Sequence, residues 1–147
     1  MKKFLSFFIG ASIFLTFGFT DKSMSPPPNV VEVFTQTFKN PTDLKWFTNG
    51  DEFTARFFDN DIRTIITYNK NADFIFSRRY YREDNLPLNI LFKIKEKYKD
   101  QTIEIVTEII QSGTILYSVN LEDKKNFYVV ESDGNANINL HSKYKKQ

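Results

Sequence analysis

The feature that most constrains this chain is a repeat inside its own sequence. At an offset of 60 residues Pro27 falls on Pro87, Val30 on Ile90, Val31 on Leu91, Phe34 on Ile94, Phe38 on Tyr98 and Lys39 on Lys99. At an offset of 64 Phe53 falls on Tyr117, Ala55 on Val119, Phe57 on Leu121, Ile65 on Val129, Ala72 on Ala136, Phe74 on Ile138 and Tyr80 on Tyr144. A four-residue insertion near the first hairpin of the second half accounts for the change of offset. Chemically matched pairs at only two offsets mark one supersecondary unit used twice. "FKNPTDLKW" at 38–46 and "YKDQTIEIV" at 98–106 are then the same joint, from helix end to first strand.

Each unit reads as one helix followed by four strands. Val31, Phe34 and Phe38 put an apolar stripe on a helix from about Asn29, which closes before Asn40-Pro41 because the residue preceding proline leaves the α region. Alternating segments follow at 44–48, 52–58, 62–68 and 74–81, separated by "NGD", "DND" and "NKNAD". Asn49-Gly50 suggests a type I′ turn, since it supplies two positive φ values. The second helix opens near Pro87, with Ile90, Leu91, Ile94 and Tyr98 as its apolar face. Its strands are expected at about 102–110, 114–121, 126–132 and 136–143. The fold class is therefore α+β: a tandem repeat of two α-β-β-β-β units, 29–84 and 85–147, with an antiparallel sheet and both helices packed on one face. Trp46 is expected in the core under the first helix.

The first twenty residues are a separate object. Lys2 and Lys3 precede an uncharged run from Phe4 to Thr20, and Gly18 and Thr20 form a small-x-small pair, the pattern of a secretory signal peptide cleaved after Thr20. "DKSMSPPP" at 21–28 reads as a proline-rich, extended tether. The expected location is the periplasm or outside the cell, with no membrane association after cleavage. Lys2 and Lys3 supply two of the 20 basic residues and no acid precedes Asp21, so the remainder carries 18 of each and is formally neutral. A nucleic-acid partner is not expected on that charge balance. With no Cys, disulfides and thiolate chemistry are excluded, and the fold must rest on its hydrophobic core.

Residues that could carry chemistry are sparse. His141 is the one histidine, and by alternation with Ile138 and Leu140 it points away from the helix-covered face. One imidazole without a spaced nucleophile does not make a triad. "DNDIRT" at 59–64 lacks the glycine and distal glutamate of a calcium loop, and the five glycines form no phosphate loop. No enzyme activity, metal or cofactor is expected. The lysines of the second helix, interleaved with Glu96, read as a solvated face. The candidate site is a surface: Arg56, Phe58, Arg63, Arg79 and Tyr81 are assigned to the sheet face the helices leave open. Their residue types are those that dominate interface energetics.

The quoted segments "VVEVFTQTFKNPTDLKW", "GDEFTARF", "YNKNADFIFS", "NLPLNILFKIKEKY" and "YSVNL…DGNANI" resemble the PepSY-like, β-lactamase-inhibitor-like proteins exported by Bacteroidetes-type bacteria. The resemblance covers nearly all of the chain after Asn29. "NKNAD" departs from it by lacking the glycine of "SDGNA". The resemblance implies a tandem α-β4 fold whose sheet presents a concave face, and inhibitor-like or chaperone-like binding of a protein or peptide; separately, a monomer is expected. The alternative reading is a small-ligand carrier with an aromatic-lined pocket between sheet and helices.

Overall fold

The computed structural model describes residues 25–147, so the expected signal peptide and the first four residues of the expected tether lie outside the described part. Helix α1 (Pro28–Thr37) is followed by strands β1 (Thr42–Asn49), β2 (Glu52–Asp59), β3 (Ile62–Asn69) and β4 (Phe74–Tyr81). A single 3₁₀ turn (Glu83–Asn85) leads into α2 (Leu88–Lys97). Strands β5 (Thr102–Gln111), β6 (Thr114–Glu122), β7 (Asn126–Asp133) and β8 (Ile138–Lys145) complete the chain. The eight strands form one antiparallel sheet in sequence order. Pro28 belongs to the helix rather than to the tether, because proline at the first helical position loses no hydrogen bond. Strand β8 begins two residues later than expected, because 134–137 are consumed by a loop that holds Ala136 at φ 60°.

Both helices are only ten residues long, too short to persist alone in water, so packing must hold them. Val30 and Phe34 of α1 are fully buried on Ala55, Phe57, Ile66 and Tyr68. The rings of Phe38, Trp46 and Phe57 surround Phe34 at centroid distances of 5.2, 5.2 and 5.0 Å. Ile90 and Ile94 of α2 are buried on Val106, Val119, Leu121 and Val130. Burying each such side chain contributes about 1.5–3 kcal/mol. The two clusters are separate: phenylalanine rings centre the first, whereas the second joins aliphatic side chains to Tyr81, Tyr117 and Tyr128.

Residues directly opposite in antiparallel strands share a face. Ala55, Ile66, Ser77, Ile110 and Ile115 form one cross-strand row, and Tyr81, Val106, Val119 and Val130 another. Both rows lie on the face that carries α1 and α2, so the helices share one side of the sheet.

The same local devices recur in each half. The Phe38 N–H donates to the Phe34 carbonyl and the Tyr98 N–H to that of Ile94, both at 2.8 Å. Asn69 Oδ1 accepts from the backbone N–H groups of Asn71 and Asp73, as Asp133 Oδ1 does from Asn135 and Asn137. Asn29 and Asn89 each donate from Nδ2 into the matching loop, to the carbonyls of Lys70 and Gly134. The missing glycine of "NKNAD" is inconsequential, since Ala72 and Ala136 both take positive φ.

The first hairpin differs from expectation. Asn49 pairs with Glu52, which makes Gly50-Asp51 the turn, with positive φ at Gly50 alone. That is the type II′ pattern; the I′ turns are Asn60-Asp61 and Ser112-Gly113, each with two positive φ values.

Candidate functional site

The site sought is the sheet face that the helices leave uncovered, and register decides which side chains stand there. One row across this face is Lys45, Arg56, Ile65, Arg78, Ile109 and Leu116. A second runs Phe58, Arg63, Tyr80, Thr107 and Ser118. A third contains Phe47, Thr54, Thr67 and Phe76. Of the assigned residues, Arg56, Phe58 and Arg63 therefore lie together on the open face.

Arg79 and Tyr81 do not. They lie on the helix-covered side, where Arg79 pairs with Thr64 and Tyr81 with Val106. The cause is a bulge near Ile75: Phe74 opposes Tyr68 while Phe76 opposes Thr67, which breaks simple alternation along β4. Because β4 carries aromatics and an arginine on both faces, its pattern alone does not reveal which side is out. Arg78, Tyr80 and Phe76 take the open positions instead.

The arginines of this face rest on rings. The Arg56 guanidinium carbon is 4.2 Å from the Phe47 centroid, Arg63 is 5.2 Å from Tyr80, and Arg78 is 5.3 Å from Phe76. Such contacts draw the guanidinium toward the negative face of the ring. Among the described residues none of the three forms a salt bridge, nor does Lys45. Arg78 lies between Ile65 and Ile109; its Nη1 reaches Tyr80 Oη at 3.5 Å, and its buried Nε has no hydrogen-bond partner.

The other half of the open face is charge-compensated. Lys146 Nζ pairs with Glu122 at 2.9 Å, and His141 Nδ1 stands 3.2 Å from Glu131. His141 is thus an exposed residue on the open side, at the β7–β8 irregularity.

On the covered side, between the two cores, Arg79 and Tyr81 meet Glu108. The Tyr81 hydroxyl donates to Glu108 Oε2 at 2.7 Å, and Arg79 Nη1 lies 3.5 Å from Oε1. Only 12% of the Glu108 side chain is exposed. Burial, and then the neighbouring carboxylate, push the Tyr81 hydroxyl far above the ordinary phenol range, so it remains a donor. Glu108 was not singled out by sequence reasoning; its signal was a carboxylate inside the otherwise apolar run "TIEIVTEII". Tyr81 and Arg79 are both directed at this one carboxylate, which ties β4 to β5 between the two cores.

The helix side offers a depression of about 460 Å³ beside α2, lined by Lys93, Glu96, Lys97, Ala136, Asn137 and Ile138, without an aromatic ring. A second, of about 330 Å³, contains Phe127 and Tyr128 but lies among β5, β6 and β7 and touches no helix. Neither matches the aromatic-lined pocket between sheet and helices that a small-ligand carrier would use. Among the described residues, no helix is long and apolar enough to cross a membrane.

No family model and no curated protein matches the chain. Solved structures do match its fold. A BLIP-like protein from Bacteroides fragilis NCTC 9343 superposes with a TM-score of 0.60 at 16% identity, covering 83% of this chain and 87% of that one. A provisionally assigned periplasmic protein from Bacteroides eggerthii DSM 20697 gives 0.59 at 11% identity, covering 83% and 90%. A DUF2874 family protein from Bacteroides ovatus ATCC 8483 gives 0.59 at 13% identity, covering 83% and 89%. At these identities the likeness is one of fold: a BLIP-like α+β architecture with an open eight-stranded antiparallel sheet and two helices.

Proposed function

We propose that this chain is an exported, non-enzymatic binding domain that holds a protein or peptide on the uncovered face of its sheet. The observation that carries this reading is the composition of that face. Three arginines stand over aromatic rings, none of them paired with a carboxylate among the described residues, and one is set between two isoleucines. Arg and aromatic side chains held rigid before binding are the usual anchors of protein interfaces.

The fold relatives support the reading in kind, since one is a BLIP-like protein and another carries a provisional periplasmic assignment. Fold alone does not give function, so the partner is argued from the site. The halves are read as two copies of one unit, supported by the matching Asn-anchored loops. The PepSY-like label, periplasmic or secreted location, signal cleavage after Thr20 and monomeric state belong to the same proposal. The monomer is favoured by blunted edges: β1 carries an irregularity at Asp43 and Lys45, and β8 one beside His141, with Lys143 and Lys145.

The test is site-specific photo-crosslinking in the cell envelope. A crosslinker at Ile65 should yield a discrete adduct with another protein, and one at Phe92, exposed on the outer side of α2, should not. Adducts only from the helix side, or equal labelling from both positions, would reject the reading.

A further inference from the structure

We infer that the occupant of the open face is an acidic segment of a partner protein, its carboxylates taken by Arg56, Arg63 and Arg78. The inference rests on the proposed function above and narrows it to one chemical class. Arg56 and Arg78 share a cross-strand row two strands apart, roughly 10 Å, with Ile65 between them. Arg63 stands two residues along β3 from Ile65, on the same face, and Lys45 pairs with Arg56. Three arginines thus surround one isoleucine, with Lys45 beyond Arg56, and no carboxylate among the described residues bridges any of the four cations.

The fold does not require this charge. At the offset of 64 that relates the halves, the matching positions are Asn120, Phe127 and Ser142, all uncharged, while the central Ile65 is matched by Val129. Each half therefore keeps an apolar centre on its open face, but only the first rings it with cations. Like charges held together cost stability, and the buried Arg78 Nε adds an unmet donor. The repulsion is relieved by a ligand bringing carboxylates. A guanidinium lying on a ring offers its fork edge-on, the geometry that takes a carboxylate in two parallel hydrogen bonds. The isoleucines and Phe76 supply apolar contact beside it, which suits a protein segment better than a free inorganic anion.

The experiment uses the chain from Ser25 onward and a fluorescent peptide of alternating Glu and Leu, with its Gln-for-Glu analogue as comparison. The Glu peptide should bind at least about tenfold more tightly, the value of one lost charge-assisted contact. That preference should shrink between about 0.02 M and about 0.5 M salt. R63Q and R78M, each confirmed folded by its melting curve, should each weaken the Glu peptide several-fold. R82Q, an exposed arginine just beyond β4, should not. Equal binding of both peptides, still sensitive to R78M, would overturn the acidic partner but leave the open-face reading standing. Binding lost instead with K93Q or K97Q on α2 would overturn both. Failure of the Glu peptide to bind at millimolar concentration would overturn the acidic-partner inference. So would salt-sensitive self-association, in favour of a second copy.

Discussion

Tyr81→Phe removes one oxygen from the seam between the two cores, and its effect can be worked from the geometry. The hydroxyl makes a 2.7 Å hydrogen bond to Glu108, whose side chain is 12% exposed, and the other oxygen has only Arg79 at 3.5 Å. The phenyl ring stays, so almost no apolar burial is lost. What remains is a largely buried carboxylate with its best donor deleted, which costs about 1–3 kcal/mol. For a domain of this size that corresponds to a fall in Tm on the order of 4–10 °C. The assay is urea denaturation of the chain from Ser25, followed by tyrosine fluorescence and far-UV circular dichroism, with Glu108→Gln and the double variant completing a cycle. The two sites should couple by at least about 0.5 kcal/mol. A Tyr81→Phe variant within about 0.3 kcal/mol of the parent, or strict additivity with Glu108→Gln, would refute the claim that this hydroxyl supports the seam.

Phe34→Ala should destabilise by about 3–5 kcal/mol, because it empties the centre of the aromatic cluster; Phe92→Ala, at a side chain 67% exposed, should stay within about 0.5 kcal/mol in the same denaturation assay. Gly113→Ala places a Cβ at φ 74° in a type I′ turn and should cost about 1–2 kcal/mol, read as a lowered melting temperature. Asp123 accepts from the Tyr128 hydroxyl and from the backbone N–H groups of Lys125 and Asn126, which hold its carboxyl well below the usual range. The stabilisation from a lowered carboxylate is complete above about pH 4 and disappears as pH falls through the depressed value. Asp123→Asn should accordingly be less stable than the parent at neutral pH, with the difference closing in acid, as urea titrations at several pH values would show.

Much of this architecture was legible because two kinds of signal agreed. Turn residues at 60–61 and 112–113 marked the strand ends, and apolar spacing at 30, 34, 90 and 94 marked the buried helix faces. The open face was harder. In β2 and β3 the two-residue period runs unbroken, so Arg56, Phe58 and Arg63 could be grouped from alternation. In β4 the bulge near Ile75 interrupts the two-residue period, and Phe74, Phe76, Tyr80 and Tyr81 put rings on both sides. Nothing local distinguishes Arg78 from Arg79. Only the pairing with β3 and β5 does, and pairing is a long-range property. Glu108 escaped for a related reason: its donors, Arg79 and Tyr81, are close only after β4 and β5 meet.

The separation of the two cores has a consequence for how the chain is made. All members of the first cluster lie between Val30 and Ala72, so a chain delivered with its amino terminus first can bury α1 before the second half is available. The strands add in order, each beside the one just finished, and no early strand waits for a distant mate. The exposed interval is the one in which β4 has paired with β3 but β5 has not arrived. During that interval the unpaired margin carries Arg78 and Arg79, followed by Arg82, and a like-charged margin discourages zippering onto a neighbouring nascent chain. The arginines beside the bulge can thus act as gatekeepers while the sheet is half built, and Arg78 again as part of the proposed docking surface once it is complete.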